Sequence, residues 1–173
     1  AGAIARLGAL LQSGSKEGTA NAAGALWNLA ASSEERQAAI ATAGAIAPLV
    51  TLLQSGSQEG EANAAGALKS LALGCEEHRA AIATAGAIAP LVALLQSGSE
   101  EGKANAAGVL RNLAFDCEEH RAAIATAGAI ALLVALLQSG SEEGKANAAG
   151  GLRDLAARSG ERPAHSCKAR GTV

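Results

Sequence analysis

In the run from Ala87 to Ser97, Leu91, Leu94 and Leu95 recur at helical spacing. Gly98-Ser99 ends that run. Ser99 is placed to cap a following helix whose first turn carries Glu100 and Glu101, where the helix dipole favours acids. From Glu100 to Ala114 an apolar stripe follows at Ala104, Ala107, Leu110, Leu113 and Ala114. Upstream, residues 76–85 read as a short helix broken by Gly86. Pro90 then falls near the start of the next helix, where its missing N–H costs nothing. The pattern predicts one short and two longer helices, and no strand.

The same pattern recurs. Ala-Gly-Ala-Ile-Ala begins at Ala1, Ala43, Ala85 and Ala127, a step of 42 residues each time. Residues 43–84 and 85–126 differ only at Thr51/Ala93, Gln58/Glu100, Glu61/Lys103, Ala67/Val109, Lys69/Arg111, Ser70/Asn112, Leu73/Phe115 and Gly74/Asp116. Periodicity on this scale predicts a solenoid of stacked units. Unit 1 is 1–42, without a first helix and ending with the first helix of the next; unit 2 is 43–84, unit 3 is 85–126 and unit 4 is a partial 127–161. In the tail, 162–173, the register fails. Pro163 falls where Gln37 and Arg79 stand, and Ser166 replaces Ile40, Ile82 and Ile124. That polar tail is expected to be loose. Neither end shows a polar capping unit, so exposed apolar ends and end-to-end self-association are expected. Near-identity of units fits recent duplication or a consensus-like design, and both readings stand at this point.

Composition sharpens the packing question. The chain of 173 residues holds 46 Ala, 22 Leu and 21 Gly, but one Trp, one Phe, no Tyr and no Met. A spherical core would be thin; helices with small side chains can still pack closely. With 14 Lys+Arg against 16 Asp+Glu the net charge is -2, which argues against a nucleic-acid partner. A chain that begins at Ala1 reads as a processed or excised piece, with no secretory leader expected. Three Cys make no disulfide framework and lean towards a cytoplasmic or nuclear setting.

A unit of one short and two longer helices resembles the armadillo repeat. The residues that carry the likeness are Ala-Gly-Ala-Ile-Ala-Pro-Leu-Val-x-Leu-Leu at 43–53 and 85–95, Ala-Ala-Gly-Val-Leu-Arg-Asn-Leu-Ala at 106–114, and Glu-His-Arg-Ala-Ala-Ile at 119–124. The likeness covers about residues 1–161. It implies an all-α, right-handed solenoid whose third helices line a concave groove. It also implies a non-enzymatic scaffold for an extended peptide or a partner protein, with no cofactor.

On each third helix one side carries Glu17, Asn21, Gly24 and Asn28; in the next units Glu59, Asn63, Gly66 and Ser70; Glu101, Asn105, Gly108 and Asn112; and Glu143, Asn147, Gly150 and Asp154. An Asn amide offers both a donor and an acceptor, which suits the backbone of an extended ligand. Asn63, Asn105 and Asn112 are the central candidates. The alternative is that these Asn are solvated residues on an exposed face. Importin-α-like relatives set a Trp one turn before the ladder Asn. The matching positions here are Gly24, Gly66, Gly108 and Gly150, so binding of nuclear-localisation signals is disfavoured. Those Gly are expected to leave a bare floor that a ligand backbone can approach. Trp27 falls at the groove edge or the helix interface. The four Glu make the groove mildly acidic, with Lys69, Arg111 and Arg153 toward its edge, so a mixed or basic peptide is favoured.

Other chemistry is weak. Cys75-Glu-Glu-His78 and Cys117-Glu-Glu-His120 imitate metal half-sites but lie a full unit apart, and Ser33 and Arg36 fill the same slots in unit 1. A thiol at a helix start can have a lowered pKa, so oxidation sensitivity is conceivable there. Gly98 to Ala104 imitates a phosphate loop, one residue short and bearing two Glu. His78, His120 and His165 have no nucleophile or carboxylate arranged around them, so no enzyme is expected. The charge-free runs 37–58, 80–99 and 122–141 read as the end of one helix plus the whole of the next, and no membrane insertion is expected.

Overall fold

The computed structural model describes residues 2–115 and 117–157, so the tail expected to be loose lies outside the described residues. Among the described residues there are eleven helices and no strand. Unit 1 supplies α1 (Gly2–Ser13) and α2 (Lys16–Ser32). Then follow α3 (Glu34–Thr42), α4 (Ile46–Ser55) and α5 (Gln58–Ala72). The third set is α6 (Glu76–Thr84), α7 (Ile88–Ser97) and α8 (Glu100–Ala114). The last is α9 (Glu118–Thr126), α10 (Ala129–Ser139) and α11 (Glu142–Ala156).

Two local devices set the boundaries. Ser15, Ser57, Ser99 and Ser141 each accept, through Oγ, the backbone N–H of Gly18, Gly60, Gly102 and Gly144 at 3.1 Å. These caps start α2, α5, α8 and α11 by satisfying one orphan donor each. The segment 98–104 is therefore a helix stop followed by a capped start. Between the short helix and the next, Gly44, Gly86 and Gly128 adopt φ of +73°, +81° and +84°. A side chain is strained there, so Gly is required. At these points the chain turns by 81°, 80° and 78°, which splits each charge-free run into two helices. No single helix among the described residues is long and apolar enough to cross a membrane.

The core is a column rather than a sphere. Equivalent positions repeat in it: Leu26, Leu68 and Leu110 from the third helices, Leu49, Leu91 and Leu133 from the second, and Ile40, Ile82 and Ile124 from the first, all fully buried. Ala23, Ala65 and Ala107 are buried between them and let adjacent helices approach closely. The third helices α2, α5, α8 and α11 stack in chain order along one side. The second helices α1, α4, α7 and α10 stack along the other. The third-helix side is concave: Lys69 on α5 reaches past α8 to place Nζ 2.7 Å from Glu143 Oε1 on α11.

Candidate functional site

The Asn row on the third helices is a set of fasteners between units. Asn63 Nδ2 donates to Ala20 O at 3.1 Å, Asn105 Nδ2 to Ala62 O at 3.2 Å and Asn147 Nδ2 to Ala104 O at 3.0 Å. The amide orientation is fixed chemically, because a backbone carbonyl only accepts. Asn21, on α2, is exposed. Asn105 is 2% exposed, and its Oδ1 accepts from Lys69 Nζ at 2.7 Å. The sequence-based expectation of a central Asn105 amide open to a ligand therefore does not match its surroundings. Asn63 and Asn147 differ from it. They are half-buried, and each keeps an Oδ1 that bonds no other described residue and reaches solvent.

One turn further on, the four equivalent positions are in four different states. Asn28 is exposed. Ser70 turns its Oγ back to Gly66 O of its own helix at 3.2 Å. Asn112 donates Nδ2 to Lys69 O at 3.1 Å and keeps its oxygen free. Asp154 is 5% exposed; its Oδ1 accepts from Arg153 at 3.0 and 2.9 Å, and its Oδ2 is buried without a partner. The ladder therefore presents amides at Asn28 and Asn112, two units apart.

The expected bare floor is corrected. A Cβ on Gly66 would stand 2.4 Å from the Trp27 ring, on Gly108 2.6 Å from Lys69 Cδ, and on Gly150 2.6 Å from Arg111 Nε. The side chain one residue before each ladder position thus lies across the Gly of the next unit. A helix interior tolerates Gly at a loss of about 1 kcal/mol against Ala, and the space it leaves is filled from within the protein. Trp27 is consequently no open shelf: one face covers Gly66, and Lys69 Nζ lies 5.8 Å from the ring centroid.

These contacts place the charges. Lys69 bonds Asn105 and Glu143, joining α5 to α8 and α11. Arg111 lies over Gly150, and no hydrogen bond or ion pair holds its guanidinium among the described residues. Glu17, Glu59 and Glu101, at the position of the groove-facing Glu143, are exposed. The face therefore has an acidic row along the starts of the third helices and a cationic strip along their later turns.

Comparison with known proteins agrees with this geometry. The armadillo/beta-catenin-like repeat model matches residues 1–31, 32–73, 75–115 and 117–157. The chain belongs to the armadillo repeat family. Among solved structures it is similar to the designed armadillo repeat protein YIII(Dq)4CqI, with a TM-score of 0.81 and 37% identity. A computationally designed armadillo repeat protein for modular peptide recognition matches with a TM-score of 0.82 and 38% identity. A third, designed armadillo repeat protein YIII(Dq.V1)4CPAF in complex with the peptide (KR)4, matches at 0.79 and 34%. Each alignment covers 88% of this chain and 64% of the designed one, so the armadillo chain spans about two thirds of their length. A search of curated proteins matched nothing.

The residues that imitated other chemistry serve the armadillo fold. His78 and His120 place Nδ1 3.1 Å from Leu71 O and 3.2 Å from Leu113 O, at the C-terminal turns of α5 and α8. Arg79 and Arg121 donate to the next carbonyls, Ala72 O and Ala114 O, at 3.4 Å. Each pair satisfies carbonyls that a helix end leaves orphaned. Among the described residues no three His, Cys, Asp or Glu side chains cluster as a metal site. Cys75 makes no cap bond, and burial pushes its thiol pKa up, against the lowered value that a helix start suggests. Sequence reasoning missed the seating of Trp27, Lys69 and Arg111 on Gly. The only signal was the joint recurrence of a mid-helix Gly and a long side chain three residues later.

Proposed function

We propose that this armadillo chain is a non-enzymatic scaffold that binds an extended peptide of mixed charge along its third-helix face. The observation that carries the reading is a line of held, half-satisfied groups. Asn63, Asn112 and Asn147 are each fixed by a bond to the neighbouring helix and keep an acceptor oxygen for a ligand N–H. Groups already ordered lose little freedom on binding. Glu17, Glu59 and Glu101 suit basic side chains on one edge, and Arg111 suits an acidic one on the other. Neighbouring helices lie roughly 8–10 Å apart, and an extended chain advances about 3.3–3.6 Å per residue. Each unit then meets two or three ligand residues.

The bond that anchors Asn112 also tells which change improves the site. In the Ser70→Asn variant the new amide can donate to Trp27 O as Asn112 does to Lys69 O, completing three ladder amides in a row. Selection from a randomised peptide library, followed by titration of the selected sequence, tests this. Wild type is expected to select an extended motif, Ser70→Asn to bind it several-fold tighter, and Asn112→Ala with Glu101→Ala about tenfold weaker, equivalent to about 1.4 kcal/mol. A flat selection from both wild type and Ser70→Asn would leave the second reading, an architectural array without its own ligand. The interruptions at Ser70 and Asp154 favour that second reading. A nuclear-transport adaptor fragment is the weakest alternative, because Trp27 is covered.

A further inference from the structure

The ammonium of Lys69, on α5, is held by parts of the three other units. Nζ donates to Asn105 Oδ1 on α8 and to Glu143 Oε1 on α11, both at 2.7 Å, and lies 5.8 Å from the centre of the Trp27 ring. An ammonium has three N–H donors and no acceptor, so an amide oxygen and a carboxylate that converge on one point suit it, with the ring face beside them. The two acceptors stand 36 and 74 positions after the lysine. They meet only because neighbouring third helices stack in a constant register.

The same pair of acceptors recurs one unit earlier without a lysine. Asn63 and Glu101 stand 36 and 74 positions after Trp27, which is seated on Gly66 as Lys69 is on Gly108. An indole has no ammonium to present to them. Asn63 is pinned by its Nδ2 bond to Ala20 O, so the direction of its Oδ1 is set. Neither that oxygen nor the exposed Glu101 carboxylate bonds another described residue. Lys103, on the same helix as Glu101, pairs with Glu100 at 3.8 Å instead. The burial of the two Asn follows from this difference: Asn105, under Lys69, is 2% exposed, whereas Asn63 is half-buried.

We propose that Asn63 Oδ1 and the Glu101 carboxylate form a subsite for a primary alkylammonium of the ligand, a lysine side chain, and that Lys69 is the chain's own occupant of the equivalent subsite one unit on. The inference rests on the peptide-binding reading above and gives that ligand one named residue. Lysine fits better than arginine, because a compact ammonium can meet both oxygens at one point while a guanidinium spreads its donors in a planar fork. Arg111, at the position of Lys69 one unit on, makes no bond to Asn147. Lys69 thus sets specificity by self-occupation: it closes one ammonium subsite, and Trp27 at the same position leaves the other open.

Selection of the full chain and its variants on a randomised peptide library, with titration of the selected peptide, tests the inference. Wild type is expected to select a lysine and to bind the peptide about tenfold more weakly when norleucine replaces that lysine, the loss of a hydrogen-bonded charge. In Glu101→Gln the same replacement should cost clearly less. Trp27→Lys puts an ammonium in the frame of Lys69 and should abolish the preference. Lys69→Met keeps an unbranched stem over Gly108 without the ammonium. It should add a second preferred lysine two or three residues from the first, the ligand length that one unit spans. Circular dichroism checks that helicity is kept, and Glu101→Gln, at an exposed position, carries the test if Trp27→Lys misfolds. A selected motif without a lysine, or an equal norleucine cost in wild type and Glu101→Gln, would overturn the inference and leave the peptide-binding reading standing. Selection of nothing by wild type would overturn both.

Discussion

The Gly that lie under Trp27, Lys69 and Arg111 show how one residue can be fixed by a neighbour far away in sequence. In Gly66→Ala the helix gains about 1 kcal/mol of propensity. The new methyl, however, meets a ring atom at 2.4 Å, and a rigid indole wedged between two helices has little room to yield. Overpacking of this kind typically costs about 1–3 kcal/mol, so Gly66→Ala is expected to destabilise. Gly108→Ala should be milder, because its obstacle at 2.6 Å is the far part of a flexible lysine. In a Trp27→Ala background, Gly66→Ala should become neutral or stabilising. Urea denaturation of the four-member cycle checks this, and equal effects of Gly66→Ala with and without Trp27 would refute the seating. The period of 42 residues could not reveal the contact. Trp27 to Gly66, Lys69 to Gly108 and Arg111 to Gly150 are each 39 positions apart, and the stagger between neighbouring helices sets that offset. Periodicity aligns equivalent residues; it does not say which of them touch.

Helix ends were far more legible. Ser99 as a cap, Gly86 as a break and Pro90 in a first turn each act within a few residues, so local chemistry alone places them, and the structure puts the helix boundaries there. The closing of the third helices was not legible, because His120 and Arg121 act on a helix that ended before them. His120 Nδ1 sits 3.2 Å from Leu113 O and must carry the donated proton. Burial then disfavours a second proton and lowers the pKa below the usual 6.5, with the bond to Leu113 O opposing. The unfolded chain therefore takes up a proton at higher pH than the folded one. Stability is retained above the ordinary His value and lost as pH falls from there through the lowered one. The measurement is the thermal midpoint of wild type and His120→Gln between about pH 7 and pH 5. Wild type should fall more steeply, because the Gln amide can donate to the same carbonyl without titrating. Parallel curves would remove His120 from the pH response.

Across the whole molecule, stability is set by neighbours in one dimension. A stacked array gains its folding energy from each unit and from each junction, so a unit with two neighbours opens less often than a unit with one. The helices α5 and α8 bury Leu68, Leu71, Leu110 and Leu113 almost completely, and Lys69 ties both to α11. The helices α1 and α10 instead hold the uncovered Leu10, Ile130, Val134 and Leu137. Amide hydrogen exchange at low protein concentration should accordingly be slowest in α5 and α8 and fastest in α1 and α10. Uniform exchange would mean that the array opens only as a single unit.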